Sequence, residues 1–111
     1  MKTIEVNGVK YQEIVQDDLS KIVLIRTYSA GIHFGTVKNA CGTEVTLMNA
    51  RRLWKWGGAF TLNEIANNGV DLSKSKISES VRVITLTQAI EIIPMTISAA
   101  KLLMEAEPCK V

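Results

Sequence analysis

The chain has 111 residues and a mass of 12.2 kDa, which allows one domain, residues 1–111, and little else. Hydrophobic residues make up 47% and charged residues 22%, a balance that excludes intrinsic disorder. The net charge of +2 and isoelectric point near 8.6 are too mild for a protein that coats nucleic acid non-specifically.

Met1 is followed by Lys2-Thr3-Ile4-Glu5 with no apolar run, so no secretory signal is expected. Asn7-Gly8 lies between two alternating runs, Thr3 to Val6 and Val9 to Tyr11, which predicts a hairpin. After a polar connector at Asp17 to Ser20, the β-branched run Lys21 to Tyr28 predicts a central strand buried on both faces. Ser29-Ala30-Gly31 breaks it, Ile32 to Val37 reads as the next strand, Asn39 to Gly42 as a turn, and Thr43 to Leu47 as a further strand. Thr61-Leu62-Asn63-Glu64 has the pattern of a capping box and opens a helix over about 61–68 that Gly69 stops. Asp71 to Ser80 is polar and reads as a surface loop. Val81 to Leu86 predicts a strand, with Ile90 to Ile93 its continuation or partner. Thr96 caps a last helix, about 96–106, before Pro108. The expected class is α+β, a mainly antiparallel β-meander sheet with two helices. No stretch approaches the roughly 18 apolar residues of a membrane span. Cys41 and Cys109 have no partners at metal-ligand spacing and read as reduced thiols of a cytoplasmic protein.

The charge is unevenly placed. Residues 21–60 carry Lys21, Arg26, Lys38, Arg51, Arg52 and Lys55 against Glu44 alone, whereas both flanks are slightly acidic. Tyr28, Phe34, Trp54 and Trp56 fall in the same stretch, and Phe60 closes it. Cationic and aromatic side chains gathered in this way suit an anion or nucleotide site, and they equally suit a solvated sheet face over a tryptophan core.

Two segments carry the candidate chemistry. In the first, Arg26 offers a bidentate fork to phosphate. Thr27, Tyr28 and Ser29 offer hydroxyls, and the amides around Ala30 and Gly31 can form an anion-binding nest. His33 and Phe34 follow. In the second, Asn49 precedes Arg51 and Arg52, and Trp54 and Trp56 come next. In an extended chain Arg52, Trp54 and Trp56 share a face, so a base could stack while an arginine meets its phosphate. The plainer readings are a hairpin with a small-residue turn, and a core tryptophan beside solvated arginines. His33 is the sole histidine, and no triad, metal-ligand set or phosphate-binding loop accompanies it. The expectation is therefore a non-enzymatic protein with no catalytic residue, metal or cofactor.

The phrases Arg-Thr-Tyr-Ser-Ala-Gly-Ile-His-Phe-Gly (26–35), Asn-Ala-Arg-Arg-Leu-Trp-Lys-Trp-Gly-Gly-Ala (49–59) and Ala-Ile-Glu-Ile-Ile-Pro (89–94) resemble a family of small phage and prophage proteins of unknown function. The resemblance spans roughly residues 20–95 and implies a viral protein working in a bacterial cytoplasm. A looser likeness, in size, viral context and a small-residue turn paired with arginines, is to the phage sponge proteins of the Thoeris anti-defence type. It implies a homo-oligomer, a dimer or hexamer, that sequesters a small cyclic nucleotide signal. The expected function is such a sponge for cyclic oligonucleotides or cyclic ADP-ribose isomers, with no membrane partner and with nucleic acid disfavoured. Its alternatives are a single-stranded nucleic-acid-binding module and a protein-binding viral inhibitor or virion component.

Overall fold

The computed structural model describes residues 18–109, and the expected Asn7-Gly8 hairpin lies outside them. After a 3-10 turn at Leu19–Lys21 come β1 (Ile22–Thr27), β2 (Ile32–Cys41), β3 (Glu44–Lys55) and α1 (Leu62–Asn68). A second 3-10 turn at Leu72–Lys74 leads to β4 (Lys76–Ile77), β5 (Val81–Leu86), β6 (Ala89–Pro94) and α2 (Ile97–Met104). All strand pairings among these residues are antiparallel, so the fold is α+β: one six-stranded sheet with two helices.

The sheet runs β4-β3-β2-β1-β6, with β5 also on β3, so the meander of β1 to β3 is flanked rather than continued. Only Thr87 and Gln88 join β5, at one edge, to β6, at the other. So short a link requires the sheet to curl until its edges meet at that end. Backbone bonds from Ala89 to Thr43 and from Tyr28 to Gln88 close the seam.

The curl explains why β1 is apolar on both faces. Ile22 and Leu24 join Phe34 and Leu53 in a core against Ile65 and Ala66 of α1 and Ala99, Ala100 and Leu103 of α2. Val23 and Ile25 point the other way, into a second core with Val45, Leu47, Ala50, Leu86 and Ala89. A strand that feeds two cores needs a continuous apolar run, which is what Ile22 to Ile25 supplies.

Several boundaries differ from expectation. The second strand continues through Asn39 to Cys41, and the turn is confined to Gly42 and Thr43. The third strand runs past Leu47 to Lys55, because a bulge lets it pass Asn49, whose φ of 51° lies in the left-handed region. Opposite the bulge sits Gly35. A Cβ there would lie 2.9 Å from the Met48 carbonyl oxygen and 3.0 Å from Ala50 Cα, so the close approach of the strands needs a glycine. The Asp71 to Ser80 stretch is not all loop: Asp71 caps a 3-10 turn and β4 pairs with β3. Ile90 to Ile93 belongs to a separate strand on the opposite edge from β5.

The helices begin as their caps dictate. Thr61 Oγ1 accepts from the Glu64 amide, and the Glu64 side chain accepts from the Thr61 amide. Thr96 Oγ1 accepts from the Ala99 amide, and α2 ends at Met104, two residues before the expected limit.

Candidate functional site

The β2–β3 register sets His33 opposite Arg52 and Phe34 opposite Arg51. The two adjacent arginines therefore project to opposite faces, and they take different roles.

Arg51 faces the helices and is buried. Its Nε donates to the Ser78 carbonyl at 2.8 Å, and its Nη1 donates to the Leu103 and Met104 carbonyls at 3.0 Å each. Those two carbonyls end α2 and have no intrahelical partner at i+4, so Arg51 caps the helix with a cation where the dipole favours one. Burial lowers its pKa, and nearby Glu107 opposes that shift.

Arg52 is exposed and faces away from the helices. Its Nε donates to His33 Nε2 at 3.2 Å, and its own amide donates to the Ser78 hydroxyl at 2.8 Å. His33 is 2% exposed. Its Nδ1 is buried with no hydrogen-bond partner among the described residues. Since Nε2 accepts from an arginine, the proton of the neutral ring sits on Nδ1. Burial first, and the Arg52 charge second, push the His33 pKa down to about 4, so the imidazole is neutral at pH 7. A neutral ring thus orients a cation without competing with it for an anion.

A cleft of about 240 Å³ opens at this pair, lined by His33, Ala50, Arg51, Arg52, Ser78, Glu79, Val81 and Ile84. Arg52 and Ile84 also line an adjoining hollow with Thr27, Ser29, Ala30 and Gln88. The two candidate segments therefore meet at Arg52. The 28–31 turn is already well braced. Thr27 Oγ1 donates to the Gly31 carbonyl at 2.7 Å and accepts from the Ala30 amide at 2.9 Å, while the Tyr28 amide donates to Gln88. The Ser29 hydroxyl donates to Gln88 Oε1 at 2.7 Å. The turn thus offers a ligand its side chains more than a free nest of amides. Gly31, at φ 85°, allows this reversal.

The remaining candidates are dispersed. Tyr28, 78% exposed, stands on the turn beside the hollow. Trp54, 55% exposed, shares the Arg52 face of β3 and carries Lys76 Nζ 5.1 Å from its ring centroid. Phe34 is wholly buried in the helix-side core and has no face left for a ligand. Asn49 lines a separate hollow with Arg51 and Glu79. Arg26 is on the helix-side face with Trp56, where it pairs with Glu91.

Sequence reasoning missed Ser78, Glu79, Val81, Ile84 and Gln88. The signal was present in part: the alternation of Val81 to Leu86 marks a strand edge. The role of Ser78 and Glu79 depends on β4 pairing with β3, which polar composition hides.

Among the described residues, no three His, Cys, Asp or Glu side chains come together as a metal site, and no helix is long and apolar enough to cross a membrane. Cys41 and Cys109 are exposed, with no disulfide between them. A family model described as "Domain of unknown function (DUF6948)" matches residues 20–103, from the first 3-10 turn into the last turn of α2. No curated protein and no solved structure matches the chain.

Proposed function

We propose that this chain, which belongs to the DUF6948 family, is a non-enzymatic phage protein that binds a phosphate-bearing nucleotide in the cleft at Arg52 and so sequesters a cyclic nucleotide-type immune signal. The observation that carries the reading is the His33–Arg52 pair. An exposed guanidinium is held by a buried neutral imidazole at the mouth of a cleft, and it makes no ion pair with any described residue. A guanidinium fixed at Nε still has its two terminal nitrogens for a bidentate phosphate contact.

Trp54, on the Arg52 face of β3, and Tyr28, on the turn beside the adjoining hollow, are exposed and offer faces on which a base can stack. Ser29 and Gln88 supply neutral hydrogen-bonding groups at the far end. Apolar Ala50, Val81 and Ile84 line the cleft and strengthen the charge contacts there. Holding without turnover is the chemistry this set supports, since neither a neutral histidine tied to an arginine nor the nearby Ser78 is set up as an activated nucleophile.

Sequestration calls for dissociation constants near nanomolar, about −12 kcal/mol. A cleft of about 240 Å³ is small for a cyclic dinucleotide, so the reading includes a homo-oligomer, dimer or hexamer, whose second copy closes over the ligand. Val81, exposed where it lines the cleft, supplies apolar surface for that contact.

Native mass spectrometry of the protein purified from cells with active cyclic nucleotide signalling tests this directly. The expected spectrum holds an oligomer with retained nucleotide; a ligand-free protein under those conditions argues against the reading.

A further inference from the structure

We propose that the opposite face of the sheet carries a second binding site, for a purine base of the guanine type, in the cavity lined by Arg26, Ile32, Trp56, Phe60, Asn63 and Glu91. Arg26 and Glu91 are directly paired on β1 and β6. Residues of even number on β1 face the helices, as Ile22 and Leu24 do, so this cavity lies across the sheet from His33 and Arg52.

The aromatic walls come first. Trp56 is half-buried and packs on the helix-side core, which fixes its ring. Phe60 is 95% exposed, yet the chain that carries it is held in place. The Phe60 amide donates to Glu64 Oε1 at 2.9 Å, within the capping box of α1. Upstream, the Gly57 carbonyl accepts from the Asp71 amide, and the Gly57 amide donates to Ser75 Oγ. A Cβ on Gly57 would meet Lys74 Cβ at 2.8 Å, and one on Gly58 would meet Asp71 Cβ at 2.8 Å, so the strap lies flat against its neighbour. A phenylalanine presented to water by a clamped backbone, beside a second aromatic ring and a cavity of about 360 Å³, suits a planar apolar guest.

The polar rim then selects the guest. Arg26 Nη1 and Glu91 Oε1 are 3.6 Å apart, beyond hydrogen-bond distance, and their side chains are 54% and 49% exposed. A planar ligand can therefore engage both. The carboxylate accepts from two adjacent N–H groups, and the guanidinium donates to an acceptor beside them. Guanine has that edge: N1–H and the 2-amino group in line, with O6 next to them. Adenine and cytosine each present a single amino donor on the corresponding edge. Asn63 adds an amide that can serve as donor or acceptor at the rim.

This site does not rest on the phosphate-binding reading of the Arg52 cleft, and a phosphate-free probe keeps the two apart. Guanosine and adenosine are titrated into protein labelled with ¹⁵N-tryptophan, with the Trp54 and Trp56 indole signals assigned by Trp56→Phe. The expected result is a shift of the Trp56 indole signal by guanosine, at least tenfold less affinity for adenosine, and no change with Arg52→Ala. Phe60→Ala, at a fully exposed side chain, is expected to weaken guanosine binding at least tenfold. Glu91→Gln is expected to erase the preference for guanosine. Trp56 unmoved by guanosine up to its solubility limit, equal binding of the two nucleosides, or undiminished binding by Phe60→Ala would each overturn the proposal.

Discussion

Arg52 Nε donates to His33 Nε2 across the β2–β3 pair at 3.2 Å, while the other ring nitrogen of His33 is buried without a partner among the described residues. The bond requires the neutral ring, and burial enforces it. The arrangement has a measurable thermodynamic consequence.

Between pH 6.5 and about 4 the unfolded chain binds a proton at His33 that the folded chain does not. Stability therefore falls as pH drops through that window, by about 2 kcal/mol at pH 4.5. Asp18 and Asp71, whose pKa values are lowered from 3.8 by hydrogen bonds from Ser20 and Ser73, lose their contribution only below that range. His33→Gln keeps an acceptor for Arg52 and removes the titration. Urea unfolding at pH 7 and pH 4.5 should show the smaller loss in the variant, whereas parallel losses would contradict a buried neutral His33.

Arg51 is a structural cation. Arg51→Ala leaves the Ser78, Leu103 and Met104 carbonyls short of a donor and should cost about 3 kcal/mol. Arg51→Lys should recover little of it, because one ammonium cannot serve both the Ser78 carbonyl and the α2 terminus as the guanidinium fork does. Thermal unfolding of both variants checks this, and a lysine variant as stable as wild type would refute the fork's role.

Gly35→Ala forces a Cβ against the Met48 carbonyl and Ala50 Cα on the neighbouring strand. A loss of about 2 kcal/mol in urea unfolding is expected from the overpacking. A neutral substitution would mean that the bulge at Asn49 is loose enough to move away.

Thr61→Ala removes the side-chain half of the capping box and should cost about 1 kcal/mol. It also loosens the clamp next to Phe60, so hydrogen exchange at the Glu64 amide should rise with it. Unchanged protection there would show that the cap contributes little to α1.

The helices were legible because their signals are local. Thr61 with Glu64, and Thr96 before Ile97, specify caps whatever lies beyond them. The doubly buried β1 was legible from its unbroken apolar run. The length of β3 was not, because the alternation of Thr43 to Leu47 breaks at Asn49, which sits at a bulge within the strand. Alternation did separate Arg52 and Trp54 from Arg51 and Leu53, but it also put Trp56 with Arg52, whereas the register shift between Leu53 and Lys55 turns Trp56 to the helix-side face. It could not tell that Arg51 would meet the end of α2, a partner 52 residues away, or that Phe34 would face the helices. The curl of the sheet follows from β6 pairing with β1 rather than β5, which no local pattern encodes.

The central claim is that Arg52, held by His33, grips a phosphate-bearing ligand. Isothermal titration of wild-type protein and Arg52→Ala against cyclic dinucleotides, cyclic trinucleotides and cyclic ADP-ribose isomers tests it most directly. At least one of these should bind wild type near nanomolar affinity and bind Arg52→Ala at least tenfold more weakly, with the variant still unfolding cooperatively after the loss of about 1 kcal/mol expected when the buried His33 Nε2 is left without its donor. No heat from any of them, or equal binding by the variant, would contradict it.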